Sequence, residues 1–273
     1  QQQIKEALYL YLLQKREETN IALAVTVANA KIIDNAYSNG EKVAPKGKII
    51  YLSSFFIGLL LPVIGIYLFN LLDTKVHSKR DTDKLGIPFI GDIPFSDSKS
   101  RIVVAEKDKT IAAEAFRLLR TNIDYLIGQK ENKTIFVCST IGKEGKTFIA
   151  INLASSIALT GKKVLLIGMD LRAPKLLGYL GMGEKAGVTN YVSDESMDIN
   201  QVLIKSEIIK FLDILPSGAI PPNPAELLLQ PRLKNMLEYL KTQYDYIVVD
   251  TAPVGLVTDT LLISDYADAC VYV

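Results

Sequence analysis

Cys138-Ser139-Thr140-Ile141-Gly142-Lys143-Glu144-Gly145-Lys146-Thr147 is the stretch on which the reading of this chain turns. An apolar, β-branched run from Thr134 to Val137 leads into it, and a second apolar run from Phe148 to Leu159 follows. That order is a buried strand, a glycine-containing turn and a helix N-terminus. Gly142 and Gly145 let backbone N–H groups close around a polyphosphate, and the helix start adds its own unpaired N–H groups. Lys146 is placed to reach the terminal phosphates and the Thr147 hydroxyl to ligate Mg²⁺, so residues 142–148, Lys143, Glu144 and Phe148 included, form the candidate nucleotide-binding set. Thr140 stands where such loops normally begin with glycine.

Downstream, strand and helix patterns alternate, the signature of a mostly parallel α/β sheet. Strands are expected at 134–139, 163–168, 211–215 and 245–249, with another beginning near 269, and the helix after the loop should end near Gly161. The strand ending at Ile167 leads to Gly168-Met169-Asp170-Leu171-Arg172. A carboxylate at the C-terminal end of a strand lies near the ligand crevice of such sheets, which makes Asp170 a candidate for metal binding or proton transfer. Tyr246-Ile247-Val248-Val249 likewise ends in Asp250, where phosphate-loop proteins place the carboxylate that holds the metal's water shell. Asn223-Pro224-Ala225-Glu226 reads as a helix start with Asn as cap, Pro at the first turn and Glu closing a capping box.

Upstream, residues 49–72 contain no charge. As a helix they span about 36 Å, enough to cross a hydrocarbon core of about 30 Å, and Pro62 is tolerated in such helices. Lysines flank the span on both sides, so the positive-inside bias is weak. A nucleotide site belongs in the cytosol, which puts residues 1–45 outside. Residues 1–19 have helical spacing (Ile4, Leu8, Leu12), residues 21–33 alternate as a strand would, and 73–110 read as a polar linker. A helix over 111–127 carries Glu114, Arg117 and Arg120. With 273 residues there is room for more than one folding unit, and a net charge of +1 argues neither for nor against nucleic acid. The two cysteines, Cys138 and Cys270, each sit in an apolar strand-like run. That suits reduced, buried thiols, and with one histidine in the chain a metal role for them is disfavoured. An initial Gln and a final Val-Tyr-Val inside a strand pattern point to a fragment.

These motifs resemble the bacterial tyrosine autokinases (BY-kinases) that regulate capsular and exopolysaccharide synthesis, in the form fused to a polysaccharide co-polymerase, or chain-length regulator. Gly142–Thr147, with Ser139 and Glu144, matches the family's Walker A motif. Asp170-Leu171-Arg172 matches the latter part of Walker A′, and Val249-Asp250-Thr251-Ala252-Pro253 matches Walker B. Glu114-x-x-Arg117-x-x-Arg120 is similar to the family's subunit-contact motif, and Leu215-Pro216-Ser217-Gly218 to a family loop before a helix. Gly168 stands at the family's first A′ aspartate, Lys143 at a usual glycine, and Ile141 where partition-type ATPases carry a signature lysine.

The resemblance implies an α/β P-loop NTPase domain, MinD/ParA-like and with a mostly parallel sheet, over 111–273. It implies a linker at 73–110, a transmembrane helix within 46–72 and the end of a periplasmic α+β region at 1–45. It further implies ATP and Mg²⁺ as cofactors, with Lys146, Asp170 and Asp250 catalytic, and Thr147, Asp170 and Asp250 at the metal. The expected reaction is transfer of phosphate to tyrosines of a neighbouring subunit's C-terminal tail. Expected partners are copies of this chain in a ring, docked through Glu114, Arg117 and Arg120, together with membrane lipid, a polysaccharide polymerase and export machinery, and a cognate tyrosine phosphatase. Nucleic acid is not expected. The expected location is the bacterial inner membrane with the kinase domain in the cytoplasm. Two rival readings are a membrane-linked ATPase without kinase activity and a chain-length scaffold that only senses ATP.

Overall fold

The computed structural model describes residues 2–25, 34, 37–40, 44–73, 82, 86–95, 101–104, 110–128 and 130–273. The chain divides into two units, Gln1–Val76 and His77–Val273.

The first unit contains helices α1 (Gln2–Val25) and α2 (Gly47–Leu72). Residues 21–25, expected to begin a strand, instead complete α1. Once a helix is nucleated, each added residue gains a hydrogen bond, whereas an isolated β pattern needs a partner strand. Among the described residues of this unit there is no strand, and the rest of the expected strand, 26–33, lies outside the described residues. α2 runs through Pro62, and none of its side chains is buried among the described residues. It is the one described helix long and apolar enough to cross a membrane.

The second unit holds a six-stranded sheet. Its strands are β1 (Lys133–Cys138), β2 (Val164–Gly168), β3 (Ile204–Lys205), β4 (Leu212–Leu215), β5 (Tyr246–Asp250) and β6 (Ala269–Tyr272), in the spatial order β3-β4-β2-β5-β1-β6. All neighbours are parallel except β3 and β4. Five strands lie within about two residues of the expected positions. β3, only two residues long, carries no periodic signal and was not anticipated.

Among the described residues from 101 onward, the α-helices of this unit are α3 (Ile111–Ile127), α4 (Lys146–Ala158), α5 (Leu176–Leu180), α6 (Val188–Ser193), α7 (Pro224–Leu228), α8 (Pro231–Gln243) and α9 (Asp259–Leu262). They cover both faces of the sheet, which is why its central strands read as unbroken apolar runs. Ile135, Val137, Leu166 and Val248 pack with Phe116 of α3 and Ile151 of α4. Phe136, Leu165, Ile167 and Val249 face the opposite way, onto Leu233, Met236 and Leu240 of α8. Thr110 caps α3 by accepting from the Ala113 N–H, and Gly128 closes it with a φ of 72°.

Three expectations need correction here. Part of the stretch read as a linker is built into the second unit: Val103 and Val104 are buried, and the Val103 N–H donates to Asn152 Oδ1 at 2.8 Å. At α7, Asn223 makes no side-chain cap; its Nδ2 donates to Glu226 Oε2 at 3.0 Å, so the two side chains satisfy each other rather than the helix backbone. Of the cysteines, Cys138 is buried as expected, but Cys270, on the edge strand β6, is exposed.

Candidate functional site

The phosphate loop joins the C-terminal end of β1 to α4, so the parallel sheet delivers it to the same edge as the ends of β2 and β5. Gly145 adopts a φ of 102°, the left-handed conformation that frees the first N–H groups of α4 to point out of the loop. Lys143 adopts a φ of 73°, so a non-glycine residue carries strain of about 1 kcal/mol where the resemblance expects glycine. Glu144 is not directed outward: its Oε2 accepts the Ile141 N–H at 2.9 Å and closes the turn. The Ser139 hydroxyl donates to the Ile141 carbonyl at 2.8 Å.

Thr140 is held by a neighbouring loop. The Val254 N–H donates to the Ser139 carbonyl at 2.9 Å and the Gly255 N–H to the Thr140 carbonyl at 3.0 Å. A Cβ on Gly255 would lie 2.5 Å from that carbonyl oxygen, so the close approach requires glycine at 255. The Thr140 hydroxyl also bonds the Tyr272 hydroxyl. Sequence reading missed Gly255, because nothing local to it indicates which backbone it will meet.

At the centre, Thr147 Oγ1 donates to Asp250 Oδ2 at 2.7 Å, joining residues 103 apart. Asp250 is 3 % exposed, and its Oδ1 is buried with no hydrogen-bond partner among the described residues. Burial pushes the Asp250 carboxyl up to about 6, against the Thr147 hydrogen bond and the Lys146 charge, which draw it down. Lys146 is itself buried. Asp170 adjoins this group. Gly168 pairs in register with Asp250, the Met169 N–H donates to the Asp250 carbonyl at 2.8 Å, and Asp170 Oδ1 accepts the Ala173 N–H at 3.0 Å. The charge of Asp170 raises the Asp250 carboxyl further.

An orphaned, buried carboxylate oxygen beside a threonine hydroxyl fits Mg²⁺, a hard cation that takes few protein ligands and fills its octahedron with water and phosphate oxygens. No cluster of three or more His, Cys, Asp or Glu suited to a metal occurs among the described residues. The position of the absent aspartate is filled: a Cβ on Gly168 would lie 2.8 Å from Ser217 Oγ and 3.2 Å from both the Ser217 nitrogen and Leu176 Cδ2.

The structure does not bring the three α3 residues to this centre. Glu114 and Arg117 form an ion pair one turn apart on α3. Arg120 Nη1 instead donates to the Ser156 carbonyl of α4 at 2.8 Å, tying α3 to its own unit.

Two family models match the chain: "AAA domain" over residues 132–270, and "G-rich domain on putative tyrosine kinase" over residues 1–69. Among curated proteins, a tyrosine-protein kinase wzc of Salmonella typhi is 30% identical over 94% of this chain and 38% of its own length. A tyrosine-protein kinase ptk of Acinetobacter johnsonii is 31% identical over 97% of this chain and 38% of its own. The chain thus spans about two fifths of the length of these relatives. Among solved structures, the kinase domain of Escherichia coli tyrosine kinase ETK superposes with a TM-score of 0.66 at 26% identity, covering 73% of this chain and 82% of that one. The chimerical protein CapA2B2 gives 0.65 at 32% identity, covering 71% and 84%. With the phosphate loop and the two strand-end carboxylates in agreement with the family match, the chain belongs to the AAA-domain family, and the relatives it is similar to are bacterial tyrosine-protein kinases.

Proposed function

We propose that this chain is the membrane-proximal and catalytic part of an ATP-dependent protein-tyrosine autokinase that regulates capsular or exopolysaccharide synthesis. The observation that carries the proposal is the Thr147–Asp250 hydrogen bond with its orphaned Oδ1, set beside buried Lys146 on a phosphate loop. Phosphoryl transfer needs positioning and charge neutralisation more than covalent participation by the protein. Loop N–H groups and Lys146 hold the phosphates, with the ammonium against the β- and γ-phosphate charge. Thr147 and Asp250 would hold Mg²⁺, which when bound supplies charge neutralisation across the phosphate oxygens. The Ala173 N–H occupies Asp170 Oδ1 and leaves the other oxygen to orient the metal with its water shell or to receive the proton of an attacking tyrosine.

In this reading α2 spans the bacterial inner membrane, residues 1–45 lie in the periplasm, and the second unit lies in the cytoplasm. The acceptor is a tyrosine-bearing tail of a neighbouring copy. Docking through α3 is supported by its exposed side chains Ile111, Leu118 and Tyr125, spaced seven residues apart beside the Glu114–Arg117 pair. Polysaccharide polymerase and export proteins and a tyrosine phosphatase complete the proposed partners.

The test is incubation of the full-length protein with MgATP, probed for phosphotyrosine against a Lys146→Met variant. A strong signal in wild type alone is expected; equal signals would sink the kinase reading. One observation favours a second reading, an ATPase or ATP sensor without kinase activity: Ser217 fills the place of the first A′ carboxylate at Gly168. Phosphate release by wild type without phosphotyrosine would select the ATPase, and ATP binding with neither product would select the sensor.

A further inference from the structure

Arg172 and Asp259 are 87 residues apart and meet as a fork: Nε donates to Asp259 Oδ2 at 2.7 Å and Nη2 to Oδ1 at 2.9 Å. Asp259, the first residue of α9, is 1 % exposed, while the Arg172 side chain keeps 44 % of its surface in solvent. A two-pronged, charge-assisted pair with one buried partner is stronger and more directional than an exposed ion pair. Its stability alone does not account for it, since a buried pair is generally matched or bettered by apolar side chains of similar volume.

The position of the fork supplies the reason. Arg172 follows Asp170 by two residues, and the turn between them is anchored at both ends. At the start, the Met169 N–H donates to the Asp250 carbonyl at 2.8 Å; at the end, Arg172 grips Asp259. Within the turn, the Ala173 N–H fixes Asp170 Oδ1. α9 is tied in turn to the segment after β5, since Thr260 Oγ1 donates to the Ala252 carbonyl at 2.7 Å. That segment grips the phosphate loop through Val254 and Gly255. Asp250, Asp170, Arg172, Asp259 and the phosphate loop thus lie on one closed circuit of hydrogen bonds.

We propose that the Arg172–Asp259 fork is the strut that sets the Asp170 carboxylate against the Thr147–Asp250 pair, which makes Arg172 and Asp259 positioning residues for the metal–nucleotide site. The proposal rests on the reading of Asp170 as a carboxylate of that site. Partners that orient metal-site ligands typically change metal affinity by about 10–100-fold when removed.

The test is a Mg²⁺ titration of the full chain in the presence of a fluorescent ADP analogue, with binding read by anisotropy. Four proteins are compared: wild type, Arg172→Met/Asp259→Leu, Asp170→Asn and the triple variant. The double replacement removes the fork without stranding a buried charge, and its melting temperature reports whether the fold is kept. If that variant does not fold, Arg172→Lys, which keeps the charge and loses the fork, takes its place under the same criteria. The fork variant is expected to raise the half-saturating Mg²⁺ concentration by about tenfold. Asp170→Asn should do the same, and the triple variant should show no loss beyond that of Asp170→Asn. An unchanged fork variant overturns the proposal. So does an additive triple variant, which leaves Asp170 as a site residue with the fork acting elsewhere. A silent Asp170→Asn removes the reading of Asp170 and the proposal together.

Discussion

Replacing Asp250 by asparagine should stabilise the nucleotide-free protein at neutral pH while abolishing its response to Mg²⁺ and ADP. In the folded chain burial raises this carboxyl from 3.8 to about 6, whereas unfolding returns it to its ordinary value. Between about pH 4 and about pH 6 the native state therefore binds more protons at this group than the unfolded state. Its contribution to stability is full below the unfolded value and is lost as pH rises through the folded one. A difference of about two pH units is worth about 3 kcal/mol, at about 1.36 kcal/mol for each. Asparagine carries no charge at any pH and keeps an oxygen to accept the Thr147 hydroxyl. The stability of Asp250→Asn relative to wild type should thus grow by about 3 kcal/mol between acid and neutral pH, a relative gain of about 6–12 °C in melting temperature for a unit of this size. Calorimetry of the full chain in detergent with EDTA, following the His77–Val273 unit from about pH 3 to about pH 8, reads this directly. Adding Mg²⁺ and ADP should then raise the melting temperature of wild type and leave the variant unmoved. A gap between the two proteins that stays constant with pH would refute the reasoning.

Three further outcomes follow from the loop and its supports. Lys143→Gly should stabilise the second unit by about 1 kcal/mol, since its φ of 73° favours glycine; a chemical-denaturation midpoint that falls would count against this. Gly255→Ala should destabilise by about 1–3 kcal/mol and weaken ADP binding, because the new methyl group meets the Thr140 carbonyl at 2.5 Å; wild-type affinity would show that the loop yields freely. Gly168→Asp should lower the melting temperature through its clash with Ser217, and adding Ser217→Gly should recover part of the loss; strict additivity of the two changes would mean that they do not meet.

Much of the site is visible in the chain itself because its signals are local. Gly142, Gly145, Lys146 and Thr147 follow an apolar strand and open a helix, and Asp170 and Asp250 each follow an apolar run, so side-chain type and periodicity suffice to place them at the ends of strands. Signals of the same kind misled elsewhere. Alternation over residues 21–25 is the pattern of a strand, yet those residues extend α1, where continuing the helix satisfies each backbone group at once. Asn223 and Glu226 have the spacing of a capping box, yet the two side chains bond each other. A different case is the trio proposed to dock α3 on a neighbouring copy, a proposal that intrachain contacts neither support nor overturn: Arg120 reaches the Ser156 carbonyl while Glu114 and Arg117 pair at the surface.

By itself, then, the sequence determined the alternating α/β order of the second unit, the phosphate loop with its lysine and threonine, and an uncharged span long enough to cross a membrane. Each is written in residues close together along the chain. Only the tertiary structure decided that Thr147 meets Asp250, that one oxygen of that carboxylate stays buried without a partner, that Gly255 lets a second loop grip the phosphate loop, and that Arg172 is forked onto Asp259. These are contacts across 87 to about 115 residues. They depend on which strands become neighbours in the sheet and on how tightly the backbones approach, and no stretch of local pattern encodes either.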